Sequence, residues 1–349
     1  MAFLLGAPGV AAAASPSSGA KDDTTYYISI GDSLATGYQP DVDKDTHVAY
    51  TDQLYARLKQ RVPGLKHIRL GCTGETTESL IKGGTCDYSH ATSQLDAALQ
   101  AMAQHRGKVA YVTLSVGAND IQRCVSPAGT LDGTCLNSAS RTMGKNLARI
   151  TGALRKAGTT NTRFVGSTYY NPFLASWLLG AAGQQAAKES APLIKAGNSG
   201  ITQVYESTGF KVADVAGAFS SDDFTTQVNM PGAGEVPANV AKICRLTWAC
   251  TQKDPHPNAD GHKVIAGAFA AVLAKADKPG AGASPAPSGS ATPQPGTGTG
   301  ANHPTTNGDL AETGASSSTP VLAGVGLAVA AAGVAAVSYA RRRRTGEGN

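Results

Sequence analysis

Two side chains in this sequence have the chemistry of acyl transfer and stand in telling surroundings. Ser33 lies in Gly31-Asp32-Ser33-Leu34, directly after the run Tyr26-Tyr27-Ile28-Ser29-Ile30. A short apolar, β-branched run reads as a buried strand, and the glycine marks the turn that ends it. A serine just past the C-terminal end of a parallel strand sits where α/β folds place ligands. Its hydroxyl is a useful nucleophile only beside a base and donors for a developing oxyanion. The alternative use of an Asp-Ser pair at this point is to cap the next helix. The candidate base is His256, in Asp254-Pro255-His256-Pro257-Asn258. Imidazole can accept a proton near neutral pH. Of the seven histidines, His256 has the richest setting; His262 reads as a surface or packing residue on the helix that follows. His47, His67, His90, His105 and His303 have no motif around them.

Two further blocks follow strand-like runs. Gly71-Cys72-Thr73-Gly74-Glu75-Thr76 comes after His67-Ile68-Arg69-Leu70, and Gly117-Ala118-Asn119-Asp120 after the run from Val109 to Val116. The four blocks, in this order, resemble the GDSL (SGNH) hydrolase family over Thr25 to Lys275. The resemblance implies Ser33 as nucleophile and His256 as base. It also implies an oxyanion hole made of the Ser33 N–H, the Gly74 N–H and the Asn119 side-chain amide. Glycine suits the second donor because no Cβ blocks the substrate oxygen, and asparagine suits the third because its amide donates at any pH. Gly71 is the rival to Gly74, with strand termination as its other use. The family places an aspartate three residues before the histidine. Here that position is Lys253, and Asp254 is two before. Two arrangements therefore stay open: Asp254 completes a triad, or a main-chain carbonyl near Lys253 orients the ring of a Ser-His dyad.

These residues need a scaffold. Strand-like runs at Tyr26–Gly31, His67–Gly71, Val109–Val116, Arg163–Ser167 and Lys211–Val215 alternate with helix-like ones. The helical candidates include Ala49–Arg61, Ser93–His105, Leu147–Ala157, Gln184–Ser207 and Asp260–Lys275. Such alternation predicts an α/β fold with a parallel sheet covered on both faces. The resemblance implies the same: a flavodoxin-like three-layer α/β/α sandwich with a parallel five-stranded sheet. Gly117–Ser138 and Ser220–Trp248 read as irregular, substrate-facing loops.

Composition bounds the rest. A formal net charge of +5 over 349 residues gives no case for nucleic acid. Pro279 to Asp309 is almost wholly Pro, Gly, Ser, Thr, Ala and Asn, too poor in apolar surface to offset its ordering entropy. The organisation expected is a signal-peptide-like segment over 1–14, a hydrolase domain over 21–278, a disordered linker over 279–309 and a sorting signal over 310–349. The six cysteines fall into near neighbours: Cys72 with Cys86, Cys124 with Cys135, and Cys244 with Cys250. Fifteen pairings exist in principle. Local pairing is expected because each pair closes a short loop, and the alternative is free buried thiols. No Cys-x-x-Cys occurs, which argues against a zinc ribbon or redox dithiol.

Both ends point to export. Ala2 to Ala14 is a short apolar run ending in small residues, similar to a signal peptide although it lacks a positively charged start. At the other end, Leu310-Ala311-Glu312-Thr313-Gly314 precedes an uncharged stretch from Val321 to Ala340, then Arg341 to Arg344. Twenty such residues can span a bilayer, with the basic cluster on the cytoplasmic side. The whole resembles a sortase cell-wall sorting signal, with alanine in place of the usual proline; a plain membrane anchor is the other reading. The Asp41-Val42-Asp43-Lys44-Asp45 run fails the EF-hand pattern, because Thr46 stands where glycine belongs and Asp52 where glutamate does. It reads as a solvated acidic loop, so no metal site is expected. No Gly-x-Ser-x-Gly elbow is present either.

The expectation is a secreted serine esterase or lipase on the outer surface of a Gram-positive bacterium, needing no cofactor. Its partners would be an ester or lipid substrate, with sortase and peptidoglycan at the C-terminus. Phospholipase and polysaccharide O-deacetylase activities are rivals on the same fold. A wall-displayed binding module without catalysis is the rival of another class.

Overall fold

The computed structural model describes residues 24–126 and 132–276. The expected signal segment, linker and sorting signal, with the apolar span 321–340, lie outside the described residues. No helix among the described residues is long and apolar enough to cross a membrane.

The elements are β1 (Thr25–Gly31), α1 (Ser33–Thr36), α2 (Tyr50–Lys59), β2 (Leu65–Arg69), α3 (Thr77–Lys82), α4 (Gln94–Gln104), β3 (Val109–Ser115) and α5 (Ala118–Gln122). They continue with α6 (Gly133–Ala157), β4 (Arg163–Ser167), a 3₁₀ segment (Pro172–Leu179), α7 (Ala181–Ser207), β5 (Lys211–Ala213) and α8 (Val215–Ala218). The described residues end in a hairpin of β6 (Gln227–Met230) and β7 (Gly234–Pro237), then α9 (Ala238–Leu246) and α10 (Ala259–Ala276). Five strands form one parallel sheet in the order β2-β1-β3-β4-β5. This is the flavodoxin-like order, whose switch point lies between β1 and β3. The expected fold class is borne out.

Alternation along the strands feeds two cores. Tyr27 and Tyr111 face a cluster with Tyr50 and Leu54 of α2 and Ile265 and Phe269 of α10. Ile28, Ile30, Val112 and Leu114 face the other, with Leu95 and Met102 of α4, Leu147 and Ile150 of α6 and Tyr205 of α7. On α10 the buried Ile265, Ala266, Phe269 and Leu273 recur at helical spacing. Phe269 stacks on Tyr50 with ring centroids 4.8 Å apart; burying such a ring stabilises by about 1.5–3 kcal/mol.

The two expected loops are corrected. Gly117–Ser138 carries α5 and the start of α6, with 127–131 outside the described residues. Ser220–Trp248 carries the β6–β7 hairpin and α9. Short elements of this kind lack the length over which periodicity becomes legible.

His262 is a packing residue. It is wholly buried at the start of α10, and its Nδ1 accepts the Tyr50 N–H at 3.2 Å. Burial, with a smaller push from His256, lowers its pKa to about 3. The unfolded imidazole takes a proton below its ordinary value near 6.5, whereas the native one refuses it. Native stability is therefore intact above pH 6.5 and falls as pH drops toward 3, by up to ~1.4 kcal/mol per pH unit from this group. His262→Asn keeps an acceptor for Tyr50 and removes the titration. Melting curves from pH 7 to 3.5 should show a shallower acid loss in the variant than in the wild type; parallel curves would refute the assignment.

Candidate active site

Ser33, Gly74 and Asn119 follow the C-terminal ends of β1, β2 and β3, and Asp254 and His256 lie on the loop between α9 and α10. Ser33 opens α1, immediately after β1. Asp32 caps that helix, its Oδ1 accepting the Leu34 N–H at 3.0 Å. The capping role considered for Ser33 thus belongs to its neighbour, and the Ser33 hydroxyl is left for chemistry. Its Oγ lies 2.8 Å from His256 Nε2. His256 Nδ1 lies 2.7 Å from Asp254 Oδ1.

The spacing that left Asp254 open is resolved by a local turn. Asp254 Oδ1 accepts the His256 backbone N–H at 2.8 Å as well as the ring N–H. This is an Asx turn, in which a carboxylate bonds main chain two residues on. Lys253 takes a left-handed φ of 57° just before it. A spacing of two therefore serves, because the carboxylate folds back over its own loop. Asp254 is 3 % exposed, so little water competes for its oxygen.

The histidine loop is pinned on several sides. The Trp248 N–H donates to the His256 carbonyl at 3.0 Å, and Tyr170 OH donates to the Pro255 carbonyl at 2.6 Å. Gln39 Nε2 donates to the Pro257 carbonyl at 2.9 Å, while Gln39 Oε1 accepts from Trp248 Nε1 at 3.0 Å. The Tyr38 ring flanks the His256 ring, centroids 4.9 Å apart. No local motif marks Tyr38, Gln39, Tyr170 or Trp248, and the first three act on the histidine loop across more than 80 positions of chain.

The implied oxyanion donors lie on neighbouring loops. Gly74 has a φ of 86°, in the region that favours glycine, and a Cβ there would meet only Thr85 Cγ2 at 3.8 Å. Conformation rather than crowding therefore demands the glycine. Gly71 has a packing role instead: a Cβ there would lie 3.0 Å from Ala35 Cβ. Asn119 lies in α5, and its Nδ2 donates one hydrogen to the Glu75 carbonyl at 2.8 Å. The amide carries a second hydrogen, which remains for a substrate oxygen. Asp120 accepts from the Thr77 N–H at 2.8 Å and from its hydroxyl, tying α5 to the start of α3. The acidic loop is not merely solvated. Asp45 accepts from both Thr36 and Thr73 hydroxyls, lacing the Ser33 helix to the Gly74 loop.

Buried acids surround the serine. Asp32 is fully buried, and burial pushes its pKa up to about 7, against the opposing Leu34 N–H. Burial likewise raises Glu75 and Asp120. A buried carboxyl raised in this way protonates more readily than an ordinary one, so it sets less negative charge beside Ser33. No group of side chains suited to a metal ion is found among the described residues.

Three disulfides close as paired by spacing: Cys72–Cys86, Cys124–Cys135 and Cys244–Cys250. Cys72 is close to Gly74 in sequence, Cys124 to Asn119 and Cys250 to His256, so each bridge staples one site loop. A second serine–histidine contact, Ser29 Oγ to His67 Nε2 at 2.9 Å, is structural. Ser29 is 0 % exposed in the middle of β1 and out of a substrate's reach. A cleft of about 360 Å³ beside Thr168, Lys195 and Asp222 contains none of the candidate residues.

The GDSL-like Lipase/Acylhydrolase family model matches residues 29–264. The chain belongs to this family. The expected class, a hydrolase acting on ester bonds, is borne out. A search of curated proteins finds no match. Among solved structures, the chain is similar to an extracellular lipase from Streptomyces rimosus, at 15% identity and a TM-score of 0.43 over 72% of this chain and 100% of that one. It is also similar to a lipase/acylhydrolase from Enterococcus faecalis, at 16% identity and a TM-score of 0.40 over 74% and 100%. A third is a member of the lipolytic G-D-S-L family from Veillonella parvula, at 14% identity and a TM-score of 0.40 over 72% and 100%.

If Asp254 holds the His256 ring and balances its charge, Asp254→Asn should lower kcat by roughly 10³–10⁴ while the fold survives, since the wrong tautomer is then favoured. Steady-state kinetics beside a thermal melt would check this. Rates within tenfold of wild type would assign ring orientation to the main chain.

Proposed function

We propose that this protein hydrolyses carboxylic esters through an acyl-enzyme on Ser33, outside the cell membrane. The observation that carries the chemistry is the continuous relay from Ser33 Oγ through His256 to Asp254, with contacts of 2.8 and 2.7 Å. His256 Nε2 takes the hydroxyl proton as Oγ attacks the acyl carbon. Asp254 keeps the proton on Nδ1, leaving Nε2 free to accept, and stabilises the imidazolium that forms. The Ser33 and Gly74 N–H groups and the free Asn119 N–H receive the oxyanion. His256 then hands its proton to the departing alcohol, and water repeats the sequence to release the acid.

Lipid or other acyl esters are the favoured substrates. Leu178 and Leu179 stand exposed on the 3₁₀ segment that follows Tyr170, the residue bonded to the histidine loop. Adjacent exposed leucines suit an apolar acyl chain better than a polysaccharide. The extracytoplasmic setting is supported by the three disulfides, which persist in oxidising compartments. The export-like N-terminal run and the Leu310–Gly314 sorting motif support it from the sequence.

Wild-type protein should turn over p-nitrophenyl esters, with medium or long acyl chains preferred to acetate, and a fluorophosphonate should label Ser33. Ser33→Ala should abolish both with the melting temperature retained. Preference for acetate would favour an O-deacetylase, and an unlabelled, inactive wild type would favour a binding module. In its host, Thr313 should end up amide-linked to the wall after cleavage before Gly314. Recovery only of intact chain from membranes would favour a plain anchor.

A further inference from the structure

We propose that Gln94 is a positioning residue that fixes the spacing of the oxyanion donors; the proposal rests on the Ser33 hydrolase reading. β2 pairs with β1 as far as Arg69 opposite Ser29. Beyond it, the Leu70 N–H still reaches the Ser29 carbonyl at 2.9 Å, and the Cys72 N–H the Gly31 carbonyl at 3.0 Å. A parallel ladder continued in register would send the Gly31 N–H to the Leu70 carbonyl. That bond is replaced by side chains. The Gly31 N–H donates to Gln94 Oε1 at 2.6 Å, Gln94 Nε2 lies 3.0 Å from Tyr88 OH, and Tyr88 OH donates to the Leu70 carbonyl at 2.8 Å. Gln94 and Tyr88 thus sit between the two strand ends where the site opens.

The same amide reaches the other donors. Gln94 Nε2 also lies 2.9 Å from Glu75 Oε2 and 3.1 Å from the Gly31 carbonyl. It has two hydrogens. A carbonyl oxygen can accept twice, so the two hydrogens are shared among Tyr88, Glu75 and the Gly31 carbonyl, the last of which also receives Cys72. Glu75 follows Gly74 directly, and its carbonyl holds Asn119 at 2.8 Å. Gly31 precedes Ser33 by two residues. One side-chain amide therefore joins the main chain carrying the Ser33 N–H to the residue that flanks Gly74 and orients Asn119. Gln94 is 0 % exposed and Glu75 1 %, so water does not replace these bonds. A buried network with one member removed leaves its partners unsatisfied and free to shift.

The test is kinetic. Gln94→Leu keeps the bulk and loses the amide. With a p-nitrophenyl ester, kcat should fall about ten- to hundredfold, short of the ~10²–10³ for outright loss of a donor, with KM within twofold. Inactivation by a fluorophosphonate, whose phosphoryl oxygen uses the same donors, should slow in proportion to kcat/KM. Gln94→Glu keeps an acceptor for Gly31 but donates to Glu75 only when protonated. Its kcat relative to wild type should therefore rise as pH falls from 8 to 5.5. A folded Gln94→Leu variant with kcat within twofold of wild type would overturn the proposal, as would a loss confined to KM. Should that variant fail to fold, a Gln94→Glu rate ratio independent of pH would do so. An inactive wild type, or activity that survives Ser33→Ala, would overturn the hydrolase reading and this role with it. An unimpaired Gln94 variant beside a Ser33-dependent wild type would overturn this role alone.

Discussion

The main chain at Gly31 runs so close to β3 that a Cβ there would lie 2.2 Å from the Ser115 carbonyl oxygen. Only glycine fits, and its φ of 148° is one that L side chains rarely adopt. The constraint places the end of β1 against the end of β3, at the point where the sheet order reverses. From that junction the chain turns at once into Asp32 and the short helix that carries Ser33. The Asn119 block leaves β3 on the same side, and the Gly74 loop leaves β2 beside it. Crowding β1 away from β3 would separate all three together.

Around this junction the protein uses acids in two different ways. Asp254 is buried beside a partner that can become cationic, and both of its bonds to His256 come from one oxygen. Asp32, Glu75 and Asp120 are buried with hydrogen-bond donors but without a facing cation at contact distance, and burial raises each of them. Here Asp254 faces the imidazole, and three acids that burial makes easier to protonate than an ordinary carboxylate frame the donor loops.

The loops are held by lateral ties rather than by regular structure. Asp45 joins the Ser33 helix to the Gly74 loop, Gln39 joins the chain after Ser33 to the histidine loop, and Tyr170 joins β4 to Pro255. A disulfide sits near each site loop in addition. Such ties limit the motion of groups whose hydrogen bonds must hold within tenths of an ångström to be useful.

Five sheet strands, four of the main helices with the second half of α6, and the cysteine pairs were legible in the sequence, which also nominated Ser33, Gly74, Asn119 and His256 as site residues. Strand runs and helical stripes are local patterns of period 2 and 3.6, and the site blocks are short motifs at strand ends. The short elements between Gly117 and Trp248 were illegible because a few residues give no period to read. That Asp254 reaches His256 emerges in the folded chain alone, because it depends on a left-handed turn at Lys253 and on anchors from Trp248 and Tyr170. The folded chain also settles that Gly71 packs while Gly74 turns, and that Asp45, Gln39 and Gln94 brace the site. Gln39, Tyr170 and Gln94 bond residues far away in the chain, and nothing in a residue's own neighbourhood says what the fold will bring beside it.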